Sequence, residues 1–350
     1  MLTLKSIKPY IKHNSSSYIY TNLFSRVKPV NTEYFKKYST NTHFFQTIRQ
    51  SGANDLKSMV ALLKNEHQLK KTLDTINQGN INSYLHENFI FWLNAYAISD
   101  SSEYINYLSG RVSLHSVCQD FIRFCFRNNI HLDPAKTLDA FKKHNELSDA
   151  AVKTELDHIK PQHKINLLGF GLDEGIYEKQ IADHLISSGK AKKVDIFGFD
   201  PYAKKSLGIQ YLSESDLSSS ERSFDLVVAR WVLHHVDLKK RWSTFINCIN
   251  SCHSGANVLI IEHGYLDGVS EIDRRFNGLL NATFDVVANI GLRPRYFLNS
   301  NDIGDDFFIQ YLDPSDFDAI KRKISMDTGM SFYDVGPNFP NQTICKISIK

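Results

Sequence analysis

The chain has 350 residues, 42% of them apolar, and 41 Lys and Arg set against 38 Asp and Glu leave a net charge of +3. That length can bury a large core, in two domains or in one with an elaborate extension, while so even a charge balance argues neither for nor against nucleic acid. Five cysteines without disulfide-framework or CxxC spacing indicate a reducing compartment, and no apolar run approaches the roughly 20 residues that span a bilayer.

Residues 1–43 read as a basic extended leader. Lys5, Lys8, Lys12, Arg26 and Lys28 meet no acidic residue before Glu33, and Ser15, Ser16 and Ser17 interrupt any periodicity. An acid-poor, Ser-rich basic leader has the look of a mitochondrial transit peptide, whereas its few arginines and Pro9 and Pro29 suit a plain arm. The cytoplasm is the expected location, and the leader makes the mitochondrion the alternative.

Residues 44–160 read as a helical domain. After the cap at Asn54 and Asp55, Leu56, Val60, Leu63, Leu69, Leu73 and Ile76 recur at helical spacing until Gly79. Leu85, Phe89, Trp92 and Tyr96 form a second stripe, and Leu114, Val117, Phe121, Phe124 and Cys125 a third. Asp133 and Pro134 start a fourth helix through Leu138 and Phe141. These aromatic stripes read as bundle core; the sharper alternative is that Phe89, Trp92 and Tyr96 line a pocket.

Pro161 marks a boundary, and residues 161–350 read as an α/β domain. The apolar run 165–168 breaks into Gly169, Phe170 and Gly171, followed by Gly175 and a helical pattern over 176–185. A strand that stops in glycines before a helix is a ligand-binding corner, because the backbone can approach a ligand and the helix N-terminus offers N–H groups. A second strand, 194–199, ends in Asp200 and Pro201, which puts a carboxylate where it can accept hydrogen bonds from ribose hydroxyls. Strands at 208–212, 225–229 and 258–262 follow, and strands alternating with helical patterns predict a parallel, doubly wound sheet. Cys248 and Cys252, one helical turn apart with no histidine pair beside them, read as packing on a helix face rather than as metal ligands. An insertion at about 265–312 carries Arg274, Arg275 and a helical stretch at 281–289. A helix over 313–323 and a hairpin of 330–335 with 343–349 close the chain.

In this order and spacing the residues resemble the class I S-adenosylmethionine-dependent methyltransferases, over residues 164–350. The Gly169 to Gly171 corner carries the likeness with the acid-terminated second strand, the Ser223-Phe224-Asp225-Leu226-Val227-Val228 strand, the Leu233-His234-His235-Val236 segment and the strand ending in Glu262. The resemblance implies a mostly parallel seven-stranded Rossmann-like sheet, S-adenosyl-L-methionine as cofactor, and Gly169, Phe170, Gly171, Asp200 and Pro201 around it. Three positions depart from the family pattern: Leu167 where an acid is usual, Asp173 where a third glycine is usual, and Ser213 where an adenine-binding aspartate is usual, which leaves that contact to the backbone or to Glu214. Arg230 could reach the cofactor's carboxylate or an acidic substrate, or pair on the surface.

A sulfonium methyl group is already activated, so transfer needs mainly alignment and, for a protonated nucleophile, a base. His235 and His263 lie where an acceptor would sit and are the candidate catalytic residues, with His234 beside them. No Asn/Asp-Pro-Pro-aromatic run follows Val228, and the aspartate of RNA ribose methyltransferases is missing near Ala229, so a small-molecule acceptor is expected. A protein or RNA methyltransferase is one alternative, and a non-catalytic scaffold on a degenerate methyltransferase fold the other. No metal ligand set and no nucleic-acid partner are indicated.

Overall fold

The computed structural model describes residues 40–77, 83–172, 175–200, 206–218, 223–233, 236, 243, 245–246, 249–263, 270–292, 328–334 and 342–349. Pro201, His234, His235 and Cys248, the helix expected at 313–323 and nearly all of the leader lie outside these residues.

The helices begin with α1 (Thr40–Gln50), α2 (Leu56–Leu63) and α3 (Glu66–Ile76). The first stripe is therefore two helices, because Asn65 leaves the helical conformation and its side chain caps the backbone of Gln68. Next come α4 (Tyr84–Ile98), the short α5 (Glu103–Leu108), α6 (Leu114–Arg127) and the 24-residue α7 (Pro134–Asp157), which Asp133 caps and Pro134 opens. Phe89 and Tyr96 are fully buried between these helices, as bundle core.

The sheet comprises β1 (Gln162–Phe170), β2 (Ala191–Phe199), β3 (Ile209–Tyr211), β4 (Phe224–Arg230), β5 (Cys252–His263), β6 (Thr328–Asp334) and β7 (Gln342–Ile349). Between them lie α8 (Ile176–Ser187), α9 (Glu214–Ser218) and α10 (Glu271–Leu292). The order is β3-β2-β1-β4-β5-β7-β6, seven strands with β7 antiparallel to its neighbours and the others parallel where they pair with β1, β2 and β4. The expected doubly wound sheet is present. Its order reverses between β1 and β4, which makes their C-terminal ends the topological switch point, where ligands meet open α/β sheets.

One face of the sheet buries Leu168, Phe170, Val227, Ala229 and Val258, the other Leu167, Leu226, Val228, Leu259 and Ile261. Burying each such side chain contributes roughly 1.5–3 kcal/mol. The insertion helix α10 adds Phe276, Leu279, Leu280 and Phe284 to the core of the N-terminal helices. Helix α7 spans both cores, with Ala140 in the helical one and Ala151, Val152 and Leu156 against the sheet. Cys252 opens β5 rather than extending a helix, and its burial pushes the thiol pKa up to about 12.

Candidate functional site

The corner after β1 is tight. Gly171 has φ +72° and Gly175 φ +67°, values that favour glycine, and the Gly171 N–H donates to the Phe199 carbonyl at 2.8 Å. A Cβ on Gly171 would lie 2.0 Å from Val232 Cγ2, one on Gly175 2.0 Å from Ile209 Cδ1, and one on Gly169 2.7 Å from Glu178 Cγ. The glycines thus admit side chains of the chain's own β3 and post-β4 segments. Phe170 stacks on Phe199 with ring centroids 5.6 Å apart and is buried. Phe170 and Phe199 are register partners, which brings Asp200 to the same sheet edge as the corner.

Leu167 is buried apolar core, as its position in β1 requires. A carboxylate nevertheless reaches the corner from α8: Glu178, in the first helical turn and 4% exposed, packs against Gly169. A helix N-terminus stabilises such an acid. Ser213 acts as a helix cap: its hydroxyl oxygen accepts the Asp216 N–H at 3.2 Å, and its own N–H donates to Asp216 Oδ2 at 2.8 Å. Glu214 follows it as the exposed first residue of α9.

Beyond β4 the chain turns sharply. Trp231 has φ +49°, a conformation that costs on the order of 1–3 kcal/mol in a non-glycine residue. Three bonds hold it there: the Trp231 N–H donates to the Ile261 carbonyl at 2.8 Å, and those of Val232 and Leu233 donate to Glu262 Oε1 at 3.0 and 2.8 Å. Glu262 is 1% exposed, so its carboxylate makes these bonds out of reach of solvent.

Arg230 ends β4 on the face that α7 and α8 cover. Its guanidinium donates to Asp149 Oδ1 and lies 4.0 Å from the ring centre of Tyr177 and 4.2 Å from that of Trp231. The Asp149 carboxyl is fully buried; burial raises its pKa and the Arg230 charge opposes that rise. The charge of Arg230 is thus engaged with the helical layer, away from the surface.

The backbone of His263 pairs with Gln342 at the start of β7. Gln342 Nε2 lies 3.0 Å from His144 Nε2 and donates to Asn145 Oδ1 at 2.9 Å, so α7 reaches the C-terminal edge of the sheet. The His144 ring lies 5.3 Å from that of Phe284 and 5.8 Å from that of His86. These partners are separated by up to 198 positions in the chain, and no local motif marks them. Among the described residues no three His, Cys, Asp or Glu side chains come together as a metal site requires.

No protein-family model and no curated protein matches the chain. Solved structures do. The S-adenosylmethionine-dependent methyltransferase SibL in its apo form is 12% identical, with 76% of this chain and 74% of that one covered at a TM-score of 0.45. Magnesium protoporphyrin IX methyltransferase from Synechocystis PCC 6803 with bound SAM is 9% identical, with 69% and 99% covered at 0.37. The N-methyltransferase NodS from Bradyrhizobium japonicum WM9, in complex with S-adenosyl-l-homocysteine, is 12% identical, with 57% and 87% covered at 0.33. At such identities and scores these likenesses add nothing to what the strand order already establishes.

Proposed function

We propose that this chain transfers the methyl group of S-adenosylmethionine to a small-molecule acceptor. The observation that carries the reading is the meeting of the glycine corner, the acid at the end of β2 and the Glu262-held turn at the switch point of a β3-β2-β1-β4-β5-β7-β6 sheet.

The residues fit such a cofactor. The backbone of Gly169, Phe170 and Gly171, with Glu178 behind it, would face the cationic amino acid end. Asp200 and Pro201 would take the ribose, and Glu214 the adenine side. Arg230 would act at one remove, fixing the segment after β4 through Asp149. When bound, the cofactor supplies an activated methyl group, which leaves the chain to align the acceptor and exclude water. Glu262 keeps Trp231, Val232 and Leu233 in place for that alignment. His235 and His263 are the proposed bases. The lack of an Asn/Asp-Pro-Pro-aromatic run after Val228 and of an aspartate near Ala229 favours a small acceptor over a protein or RNA.

A second reading, a scaffold without cofactor, draws on the contact of Val232 and Ile209 with the corner glycines. Calorimetry with S-adenosylhomocysteine separates the two. Saturable binding is expected, and Asp200→Ala should weaken it roughly ten- to a hundredfold, as loss of a charge-assisted hydrogen bond implies. No binding by the wild-type chain supports the scaffold, while binding unchanged by Asp200→Ala removes Asp200 from the site. His235→Ala and His263→Ala should lower turnover and leave this binding intact.

A further inference from the structure

Parallel strands are ordinarily covered on both faces and apolar throughout, yet the first halves of β1, β2 and β3 carry polar side chains on one face. Lys164 and Asn166 alternate along β1, and the register sets Asp195 of β2 beside Asn166 and Gln210 of β3 beside Phe197. Together with Ser223 and Phe224 at the start of β4, these residues line a cavity of about 350 Å³. Asn166 Nδ2 donates to the Ser223 carbonyl at 3.0 Å, which ties the β4 wall to β1. The cavity opens to solvent, since Gln210 and Ser223 are exposed.

This cavity is not at the switch point. Asn166 and Phe197 lie three residues before Gly169 and Asp200, about 10 Å at the rise of a strand, and Lys164 lies about 17 Å before Gly169. The cavity therefore belongs to the N-terminal half of the strands, whereas the glycine corner and the Glu262-held turn occupy their C-terminal ends.

The chemistry of the lining selects its occupant. Asp195 takes Lys164 on one carboxylate oxygen at 2.7 Å and Lys193 on the other at 2.9 Å, and these two bonds hold its carboxyl below the ordinary carboxylate range. Asp195 is thus already engaged on both oxygens and has little to offer a ligand cation. Each ammonium has spent one of its three donors, so the cluster of two lysines and one aspartate carries a charge of +1 with donors to spare, and Lys164 presents that charge to the cavity. Phe197, partly exposed and with its ring centre 5.4 Å from that of Phe224, adds an aromatic wall. We propose that this cavity binds a small aromatic carboxylate, its ring against Phe197 and its carboxylate on Lys164. The site stands whether or not the chain is a methyltransferase, because none of its residues belongs to the cofactor corner.

The test uses the full chain, ligand-detected NMR titration and three probes of one ring size: 4-hydroxybenzoate, the uncharged p-cresol and the cationic 4-hydroxybenzylamine. The expected result is saturable binding of 4-hydroxybenzoate about three- to fivefold tighter than p-cresol, the value of one partly exposed ion pair, with 4-hydroxybenzylamine weaker than both. Two variants move the affinity in opposite directions. Lys164→Met removes the ammonium that faces the cavity and should erase the advantage of 4-hydroxybenzoate over p-cresol. Asp195→Asn removes the carboxylate that competes for both lysines and should tighten 4-hydroxybenzoate by about two- to fivefold, a gain that damage to the fold would not produce. Both side chains are at least partly exposed, so each variant should fold. No saturable binding of 4-hydroxybenzoate to the wild type, equal affinity for 4-hydroxybenzoate and p-cresol, or an affinity for 4-hydroxybenzoate that fails to move in opposite directions in the two variants would overturn the proposal.

Discussion

Glu262 shows how a single side chain sets the geometry of the switch point. Its carboxylate is almost wholly buried and accepts the Val232 and Leu233 N–H groups, which the positive φ of Trp231 turns away from any strand partner. Glu262→Ala would leave both donors bare at a cost of roughly 2–6 kcal/mol, whereas Glu262→Gln keeps a carbonyl acceptor and should cost less than half as much. Urea unfolding checks this, and equal midpoints for the wild type and the alanine variant would show that the bonds carry no weight. Glu262 was legible as the acid ending a strand, though its role was not, because its partners lie some thirty positions earlier. Gly169, Gly171 and Asp200 were readable since each sits in a contiguous strand-and-turn pattern. Glu178 was not, because an acid at the third position of a helix reads as ordinary N-terminal chemistry until Gly169 is found against it.

The strands themselves were the most readable elements, since apolar runs bounded by Gly, Asp and Pro have few other meanings. The helices were harder. The break at Asn65 keeps the apolar spacing on both sides, and α5 is too short to show a period. The opposite edge of the sheet carries a pH-sensitive contact that no pattern announces. Asp225, beside a register shift between β4 and β5, accepts the Asn166 N–H at 2.6 Å and lies 2.6 Å from His253 Nε2. The hydrogen bond to Asp225 holds the His253 pKa above its ordinary 6.5. A folded pKa above the unfolded one means that the contact's stabilisation is fully present below the unfolded value and is lost as pH rises through the folded one. His253 is partly exposed, so the effect is screened and small. The melting temperature of the wild type should therefore exceed that of His253→Gln by more at about pH 5.5 than at about pH 8.5; an excess that is equal or larger at the higher pH would refute the contact's contribution.

At the scale of the molecule, the helices and the sheet are joined through α7, and the join is charged. A helical half and a sheet half could be foreseen from their periods, but nothing in the sequence says that α10 packs with the N-terminal helices or that Arg230 reaches back to Asp149, 81 positions earlier. The pair is buried on both sides and flanked by Tyr177 and Trp231, so water cannot replace either partner. Such a pair contributes modestly when whole and costs heavily when halved, because the survivor remains buried and uncompensated. Arg230→Met and Asp149→Leu alone should each destabilise the chain by about 3–5 kcal/mol, while the double variant, which replaces the pair with apolar side chains of similar volume, should lose far less than the sum. A double-mutant cycle in urea reads the coupling directly. Additive losses would mean that the two side chains act independently and that the helical layer is held by its apolar contacts alone. A large coupling would make the pair the element that fixes α7 against β4, and with it the contact of Gln342 with His144 and Asn145 at the sheet edge.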